Sequence, residues 1–343
     1  MAQKQIVILG ASYGGLSSAH YLLKHVIPKL PEGEYLVTVV SASSQVLCRP
    51  ACPRAMISDD ILPQEKLFVD VARCLKQYGE KAVHFINGIV EELDHTNRTV
   101  SISLGTGNIE NIKFHALVIA TGASTASPLF GLNKDSDTLR AEWAEFRKAL
   151  PTVKTIAIAG GGPSAVETAG ELGEFLNGKP GWFYNHSMKV QITIITSGPQ
   201  ILPLLRPSIA KKAEGLLTKV GVTVIKNSRV MSVEPHDAGV ENVSTKATLT
   251  LGNGETLKAD LYIPAVGTRP NTGFAKSDIL APDGRIDTNA TFRVDKAGPR
   301  IYAVGDVASC ARPAVHNILN SIPIMCANME RDLLLATGEY CQN

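Results

Sequence analysis

The 343-residue sequence predicts an α/β fold, and three stretches carry this prediction. Residues 6–15 (IVILGASYGG) pass from four apolar residues into a glycine-containing turn, and a helical pattern follows at 16–23. Residues 156–167 (IAIAGGGPSAVE) repeat this order, and residues 301–306 (IYAVGD) form a further apolar run that ends in glycine and a carboxylate. Strand, glycine-rich turn and helix in this order are typical of parallel sheets that bind dinucleotides.

The first turn fits the dinucleotide-binding fingerprint G-x-G-x-x-G with one departure. Gly10 and Gly15 stand at its outer positions, but Ser12 stands in the middle. The first glycine allows a tight bend, the last lets helix and strand pack closely, and free N–H groups at the helix start face a pyrophosphate. At Ser12 the backbone must approach the phosphates past a hydroxymethyl group. We therefore expect a dinucleotide to bind at Gly10, Ser12, Tyr13, Gly14 and Gly15.

The second turn keeps the whole fingerprint, with Gly160, Gly162 and Ala165 at its three positions. Two more apolar runs also end in glycine, at residues 117–122 (LVIATG) and 261–267 (LYIPAVG). Five apolar strands that each end in a glycine-containing turn, spread along the whole chain, predict two dinucleotide-binding domains.

The order of these motifs resembles that of a known enzyme family. Along the chain they are G-x-S-x-x-G, ATG, GGGPSAVE, AVGTRPN and AVGD. This order is similar to that of the FAD/NAD(P)-dependent pyridine nucleotide-disulfide oxidoreductases, and most closely to the apoptosis-inducing-factor-like, ferroptosis-suppressor-like flavoprotein reductases. The resemblance implies two Rossmann-like domains of three-layer ββα architecture, with an NAD(P)-type domain inserted in a discontinuous FAD-type domain. It also implies that the family's C-terminal interface domain is largely missing from this sequence.

Domain boundaries follow from the resemblance. It assigns residues 1–125 and 272–343 to the FAD-binding domain and residues 150–268 to the NAD(P)H-binding domain. Residues 126–149 and 269–271 are then linkers.

The resemblance places five further residues near the FAD. Thr121 and Gly122 end the first FAD segment close to the cofactor. Asp306, after Gly305, can accept a hydrogen bond from a ribityl hydroxyl. Arg54 could offset phosphate charge, or it could be an ordinary surface arginine.

In the second domain the resemblance implies an NAD(P)H site at Gly160, Gly162, Pro163, Ser164, Ala165, Glu167 and Gly267. Glu167 would lie near the nicotinamide and the flavin, where a carboxylate could orient the carboxamide. Glu171 lies four residues later and therefore on the same helix face. The alternative for both residues is a glutamate on the helix surface.

The positions that usually carry a ribose-binding acid hold none here. After the strand at residues 35–40 the place falls on Ser41, which can still hydrogen-bond a ribose. After the strand at 191–195 come Thr196, Ser197 and Gly198. Cations that could pair with the 2′-phosphate of NADPH follow ten or more residues on: Arg206, Lys211 and Lys212. The choice between NADH and NADPH stays open.

Cys48 and Cys52 lie in the part of the chain where disulfide reductases carry their redox cysteines. Their spacing is C-x-x-x-C, whereas the dithiol reductases use C-x-x-x-x-C. A catalytic thiol and a small buried side chain are both compatible with this pattern.

Patterning between the motifs predicts the remaining elements. We expect helices at residues 67–78, 139–150 and 315–336, and strands at 83–94, 99–104, 109–114, 229–234 and 247–251.

Composition narrows the function classes. The formal net charge is +2 and the sequence has no run of like charges, so it contains no basic cluster that would indicate binding of nucleic acid. No apolar run reaches the ~18 residues of a membrane span, no targeting segment is recognised, and six scattered cysteines fit a reducing compartment. We therefore expect a cytoplasmic enzyme with a small-molecule substrate or electron acceptor and no metal; a homodimer is left open.

Three functions are compatible with the sequence. The first is an FAD-dependent oxidoreductase that passes a hydride from NADH or NADPH to flavin and electrons to a quinone-like or other small acceptor. The second is an FAD-dependent oxidase or dehydrogenase of a small organic substrate, from specialised metabolism, with a vestigial nicotinamide site. The third is a flavoprotein with a binding or signalling role.

Overall fold

The computed structural model describes residues 3–178 and 188–337 and has the predicted α/β fold. The chain divides into two compact units. The first unit comprises Met1–Leu47, Phe68–Ser124 and Arg269–Asn343, and the second comprises Cys48–Leu67 and Thr125–Thr268. Residues 1–2, 179–187 and 338–343, which the predicted domain boundaries include, lie outside the described residues.

Eighteen strands and seven α-helices are found in the described ranges. The strands are β1 (Lys4–Leu9), β2 (Tyr35–Ser41), β3 (Gln45–Leu47), β4 (Phe68–Asp70), β5 (Val83–Asp94), β6 (Thr99–Leu104), β7 (Ile109–Lys113), β8 (Ala116–Ile119), β9 (Ala123–Thr125), β10 (Thr155–Ala159), β11 (Gln191–Ile195), β12 (Val222–Ile225), β13 (Val230–Glu234), β14 (Ala247–Leu251), β15 (Thr256–Ala259), β16 (Leu261–Pro264), β17 (Thr268–Pro270) and β18 (Ile301–Ala303). The helices are α1 (Tyr13–Tyr21), α2 (Cys52–Ala55), α3 (Val71–Leu75), α4 (Ser136–Ala149), α5 (Pro163–Asn177), α6 (Pro207–Thr218) and α7 (Val315–Thr337).

The first unit is built on a seven-stranded sheet of order β18-β8-β1-β2-β5-β6-β7. The first five strands run parallel, and β5, β6 and β7 form an antiparallel meander. Alternate residues of β1 point to opposite faces, as the period of a strand requires. Ile6 and Ile8 enter the core that contains residues of α1 and α7, whereas Val7 and Leu9 enter the core on the other face. A central strand buried on both faces explains the unbroken apolar run in the sequence.

A partly buried polar cluster connects helix α7 to the sheet of the first unit. The hydroxyl of Tyr302, on β18, donates a hydrogen bond to the Asp332 carboxylate on α7. Arg293 donates to both oxygens of the same carboxylate, at 2.8 and 2.7 Å. Because the Asp332 carboxylate bonds two different segments, it fixes where the helix lies against β18.

The second unit is built on a four-stranded parallel sheet of order β12-β11-β10-β16, accompanied by the antiparallel sheet β13-β14-β15. The buried side chain of Asn177, the last residue of α5, joins this helix to the strands. Its amide nitrogen donates to the carbonyls of Val190 and Val220, both at 2.9 Å. Its oxygen accepts from the backbone N–H groups of Lys189 and Val190.

Two segments group with the second unit, although the sequence analysis places one in the FAD domain and the other in a linker. Residues 48–67 are held there by Arg147 of helix α4, which pairs with Asp59 at 2.9 Å and donates to the Met56 carbonyl at 3.3 Å. The predicted linker 126–149 contains this helix, whose Trp143 and Phe146 are fully buried. Because large side chains of α4 are buried, this helix is part of a packed core, which explains why it groups with a compact unit and is not a linker.

The helix predicted at residues 67–78 is shorter than expected. Phe68–Asp70 forms strand β4 and pairs with β3, and the helix α3 begins only at Val71. The Asp70 side chain accepts a hydrogen bond from the Arg73 N–H at 2.6 Å and so caps the helix start.

The helices in the described part of the chain are too short or too polar to span a membrane.

Candidate functional site

Three glycine-containing turns meet at one edge of the first unit's sheet. β18, β8 and β1 are adjacent and parallel, and their register aligns Ala303 with Ile119 and Ile119 with Leu9. The Ala120 N–H donates to the Leu9 carbonyl at 2.8 Å, and the Val304 N–H donates to the Ile119 carbonyl at 3.0 Å. The turns that follow these three strands therefore open side by side at the carboxyl ends, where α/β sheets bind ligands.

The outer glycines of the first turn are required by close backbone contacts. Gly10 has φ +98°, and a Cβ there would lie 2.4 Å from the Ala120 carbonyl oxygen. A Cβ on Gly15 would lie 1.7 Å from the carbonyl oxygen of Gly10. Gly14 is buried beside Ala120 and Val304. These contacts fit the predicted roles of a tight bend and of close packing between helix and strand.

Ser12 and Tyr13 stand at the start of helix α1. Ser12 is the N-cap residue, and its exposed hydroxyl makes no capping hydrogen bond. The first N–H groups of a helix have no partner within the helix, and they carry partial positive charge. The turn thus offers backbone donors and a hydroxyl at the same edge of the sheet, which fits the pyrophosphate of a dinucleotide.

Thr121 has a partner within the first unit. Its hydroxyl donates to the carbonyl of Asn271 at 2.7 Å, and the Asn271 side chain donates back to the Thr121 carbonyl at 2.9 Å. The backbone N–H of Asn271 also donates to the Gly122 carbonyl at 3.0 Å. Asn271 therefore connects the segment that follows β17 to the end of β8. The sequence alone predicts only a linker at this position.

Three more predicted FAD residues lie at the carboxyl ends of strands in the same sheet. Ser41 ends β2, and its carbonyl accepts a hydrogen bond from the side chain of Asn87 at 2.9 Å. Gly305 and Asp306 follow β18, with Asp306 partly exposed. Their contacts with FAD stay a prediction.

The second unit repeats the arrangement. β10 lies between β11 and β16, and Ala159 is aligned with both Ile195 and Pro264. The Gly160 N–H donates to the Ile195 carbonyl at 2.8 Å, and the Ala265 N–H donates to the Ala159 carbonyl at 2.7 Å. The glycine turn before α5 and the run that ends at Gly267 therefore share one edge of this sheet.

The three glycines of this second turn meet different surroundings. A Cβ on Gly160, which has φ +122°, would lie 2.2 Å from the Ala265 carbonyl oxygen. A Cβ on Gly161 would lie 2.4 Å from the hydroxyl of Thr196. At Gly162, the N-cap residue of α5, a Cβ would meet no described protein atom within 4 Å. The space in front of Gly162 is thus open to a ligand.

Other predicted NAD(P)H residues flank that opening. Pro163 and Ser164 are exposed in the first turn of α5, and Ala165 is buried against the unit's core. Glu167 is exposed. Partial desolvation, with a further contribution from the Glu171 carboxylate, raises the pKa of Glu167 above its ordinary value.

Arg54 forms an ion pair with Glu171 within the second unit. Its guanidinium donates through Nε to both carboxylate oxygens at 3.0 Å and through Nη2 at 2.6 Å. The resemblance predicts that Arg54 offsets FAD phosphate charge, and it does not predict this pair. No local pattern indicates this pair, because its two residues lie 117 positions apart in the sequence. The phosphate role of Arg54 stays a prediction.

Cys48 and Cys52 are both free thiols in different environments. Cys48 is exposed, whereas Cys52 is 1% exposed. Burial is the main cause that raises the pKa of the Cys52 thiol to about 12. Because the thiolate is the reactive form, this burial disfavours reaction at Cys52 near neutral pH, which favours the small buried side chain of the two alternatives.

The region after β11 presents a hydroxyl and several cations to solvent. The Thr196 side chain is buried behind Gly161, whereas Ser197 is exposed. Three cations are exposed on or just before helix α6: Arg206, Lys211 and Lys212. They could meet a 2′-phosphate.

The sequence matches the pyridine nucleotide-disulphide oxidoreductase family over residues 4–325. The chain belongs to this family. It is an FAD-dependent oxidoreductase, and the family binds FAD and NAD(P)H. The arrangement of the two glycine turns fits both cofactors.

Individual relatives agree with the predicted resemblance. The oxidoreductase phnG of Penicillium herquei is 58% identical over 340 residues, which are 98% of this chain and 82% of phnG. Apoptosis-inducing factor 1 of Saccharomyces cerevisiae is 27% identical over 317 residues, which are 89% of this chain and 74% of that protein. Reduced CoADR-RHD of Bacillus anthracis has the same fold, with a TM-score of 0.74 and 19% identity, over 97% of this chain and 57% of that one.

Proposed function

We propose that this protein is an NAD(P)H-dependent flavoprotein reductase that passes electrons to a quinone-like or other small acceptor. The observation that carries the proposal is the pair of strand–turn–helix arrangements, one in each unit, of which the second has Gly162 open to a ligand. FAD, held at the glycine turns of the first unit, would supply the redox chemistry by accepting a hydride from NAD(P)H and passing two electrons to the acceptor.

The residues of this chain bind and orient the reactants. In the first unit the turn from Gly10 to Gly15 and the start of α1 hold a pyrophosphate through backbone N–H groups. Asp306 accepts a hydrogen bond from a ribityl hydroxyl. In the second unit Glu167 accepts from the nicotinamide carboxamide. Its neighbour Glu171 is paired with Arg54, whereas Glu167 has no ion pair within residues 3–178 and 188–337.

Anaerobic mixing of the purified flavoprotein with NADH and with NADPH tests the proposal. We expect one or both to bleach the flavin absorbance within seconds. Glu167→Gln should slow this reduction by roughly tenfold, because the amide orients the carboxamide less well than a carboxylate. Glu174→Gln, the same charge change at an exposed position of the same helix, is the control and should reduce at the wild-type rate.

The second candidate is an FAD-dependent oxidase or dehydrogenase of a small organic substrate with a vestigial nicotinamide site. Thr196, Ser197 and Gly198 favour it, since no carboxylate follows β11. If neither NADH nor NADPH bleaches the flavin while an organic substrate does, this candidate replaces the first. If the purified protein binds no FAD, both are wrong.

A further inference from the structure

A groove lies at the opposite edge of the first unit's sheet, at the amino ends of the parallel strands. Its volume is about 810 Å³. Lys4 begins β1, His115 immediately precedes β8 and Arg300 immediately precedes β18, and all three line the groove. The glycine turns follow the carboxyl ends of these same strands. The groove is therefore separate from the cofactor site described above.

Two arginines meet at the wall of this groove. Arg98 has φ 57° and Arg300 has φ 60°, both in the left-handed region that side chains disfavour. Both donate to the same carbonyl oxygen, that of His115, from Arg98 Nη2 at 2.5 Å and from Arg300 Nε at 3.0 Å. Arg98 also donates to the carbonyls of Phe114 and Pro299. The chain thus holds two like charges together in an unfavourable backbone conformation.

Acidic groups of the lining balance only part of this charge, and the Asp332 carboxylate, which attracts Arg300 from outside the lining, is already paired with Arg293. The lining carries Lys4, Arg98, Lys113 and Arg300 against a single carboxylate, Glu110. Lys4 pairs with Glu34 at 2.9 Å, but the other three cations form no ion pair with any residue of the described ranges. A small ligand that carries negative charge would supply the missing partner.

Burial first, and neighbouring positive charge second, lower the pKa values of two lining groups. Burial, and then the charge of Arg300, lowers the pKa of Arg98. Burial, followed by the charges of Arg300, Lys4 and Arg98, lowers the pKa of His115 to about 4. The His115 imidazole is therefore neutral at physiological pH. Its Nε2 is enclosed and has no hydrogen-bond partner among the described residues.

We propose that this groove binds the phosphate group of a small anionic molecule, in addition to the two dinucleotides. Guanidinium groups match the oxygens of a phosphate through several parallel N–H donors, and a dianion compensates more of the positive charge than a carboxylate does. The ligand is either free phosphate or a phosphate monoester. Both sources share the chemistry that the lining recognises.

Calorimetric titration of the FAD-loaded protein at low ionic strength tests the proposal, with inorganic phosphate, glycerol 3-phosphate and acetate as probes. Arg300→Gly removes one guanidinium, and glycine adopts the left-handed backbone at this position without strain. It should weaken phosphate binding roughly tenfold, the loss expected for one charge-assisted hydrogen bond. Lys113→Gln, on the exposed strand β7, provides a second variant that does not disturb the core and should weaken binding severalfold. Lys81→Gln removes the same charge from an exposed position of the first unit outside the groove and should bind phosphate as the wild type does.

The outcomes separate the alternatives. Tighter binding of glycerol 3-phosphate than of inorganic phosphate supports an ester ligand, and the reverse order supports free phosphate. The proposal is overturned if the wild type binds neither phosphate probe, or if acetate binds as tightly as phosphate does. It is equally overturned if Arg300→Gly and Lys113→Gln bind as the wild type does, or if Lys81→Gln loses as much affinity as they do. Unchanged flavin absorbance shows that each variant is folded.

Discussion

Replacing Gly162 by alanine should weaken NAD(P)H binding and leave the fold intact. Gly162 has φ −79° and ψ 178°, an extended conformation that alanine adopts freely and that suits a residue before proline. An added Cβ would meet no protein atom of the described residues within 4 Å. We therefore expect the free energy of unfolding to change by less than about 0.5 kcal/mol.

The expected loss of affinity follows from what would occupy the open space. If the pyrophosphate of NAD(P)H approaches the backbone here, a methyl group in its path displaces it from at least one N–H donor. Losing a hydrogen bond to a charged group costs about 1.5–3 kcal/mol, which is roughly 10- to 150-fold in the dissociation constant. Gly160→Ala would act differently. Gly160 has φ +122°, and its added Cβ would lie 2.2 Å from the Ala265 carbonyl oxygen, so this substitution should destabilise the second unit itself.

The assay is anaerobic stopped-flow reduction of the flavin at increasing NADH or NADPH concentration, together with thermal unfolding. Gly162→Ala should need a higher nucleotide concentration for half-maximal rate at an unchanged unfolding temperature. Gly215→Ala in helix α6, where an added Cβ also meets nothing within 4 Å, is the matched control and should be neutral or stabilising by up to about 1 kcal/mol. If the flavin reduction rate of Gly162→Ala depends on nucleotide concentration as the wild-type rate does, the reasoning is refuted, because no ligand would then lie against the backbone of this turn.

Three further predictions concern stability and thiol chemistry. Gly15→Ala should destabilise the first unit by about 3 kcal/mol and reduce FAD retention, because its Cβ would lie 1.7 Å from the Gly10 carbonyl oxygen; chemical unfolding and flavin content measure this, and a wild-type unfolding curve would contradict it. Asp260→Asn should cost about 1 kcal/mol after allowance for solvent screening, because backbone N–H donors first and a lysine second lower the pKa of Asp260 to about 2. A lowered pKa stabilises the fold above the ordinary value of 3.8, so the difference between the variant and the wild type in unfolding experiments should shrink as the pH falls from 3.8 towards 2. Iodoacetamide should label Cys48 and spare Cys52 in the folded protein, and Cys52→Ala should still be reduced by NAD(P)H; mass spectrometry that finds Cys52 labelled as fast as Cys48 would contradict this.

Local patterns were sufficient to predict the strand ends that form the site. The apolar runs that end at Gly10, Gly122 and Gly305 are short, uninterrupted and followed by turns, so each can be recognised without knowledge of its neighbours. The structure places the corresponding strands side by side in one sheet. The long strand Val83–Asp94 and the helix Val315–Thr337 were also predicted to within one residue, because their apolar periodicity is strong.

Contacts between distant parts of the chain could not be predicted in this way. Arg54 and Glu171 are 117 residues apart, and Thr121 and Asn271 are 150 residues apart. Nothing in the immediate sequence of either pair identifies its partner, since each pairing depends on how whole segments fold back. The same reason explains why residues 48–67, assigned to the FAD domain from the sequence, group with the second compact unit in the structure.

Gly162 also bears on the choice between the two enzymatic functions. Gly160 and Gly161 are required by the fold itself, because an added Cβ would lie 2.2 Å from the Ala265 carbonyl oxygen or 2.4 Å from the Thr196 hydroxyl. A protein with a vestigial nicotinamide site would therefore still need both. Gly162 has no such requirement, because an added Cβ there would meet no described protein atom within 4 Å. The missing acid after β11 removes one hydrogen bond to a ribose, whereas the glycine at 162 keeps open the path for a pyrophosphate. The open turn therefore favours a working NAD(P)H site more strongly than the absent carboxylate argues against it.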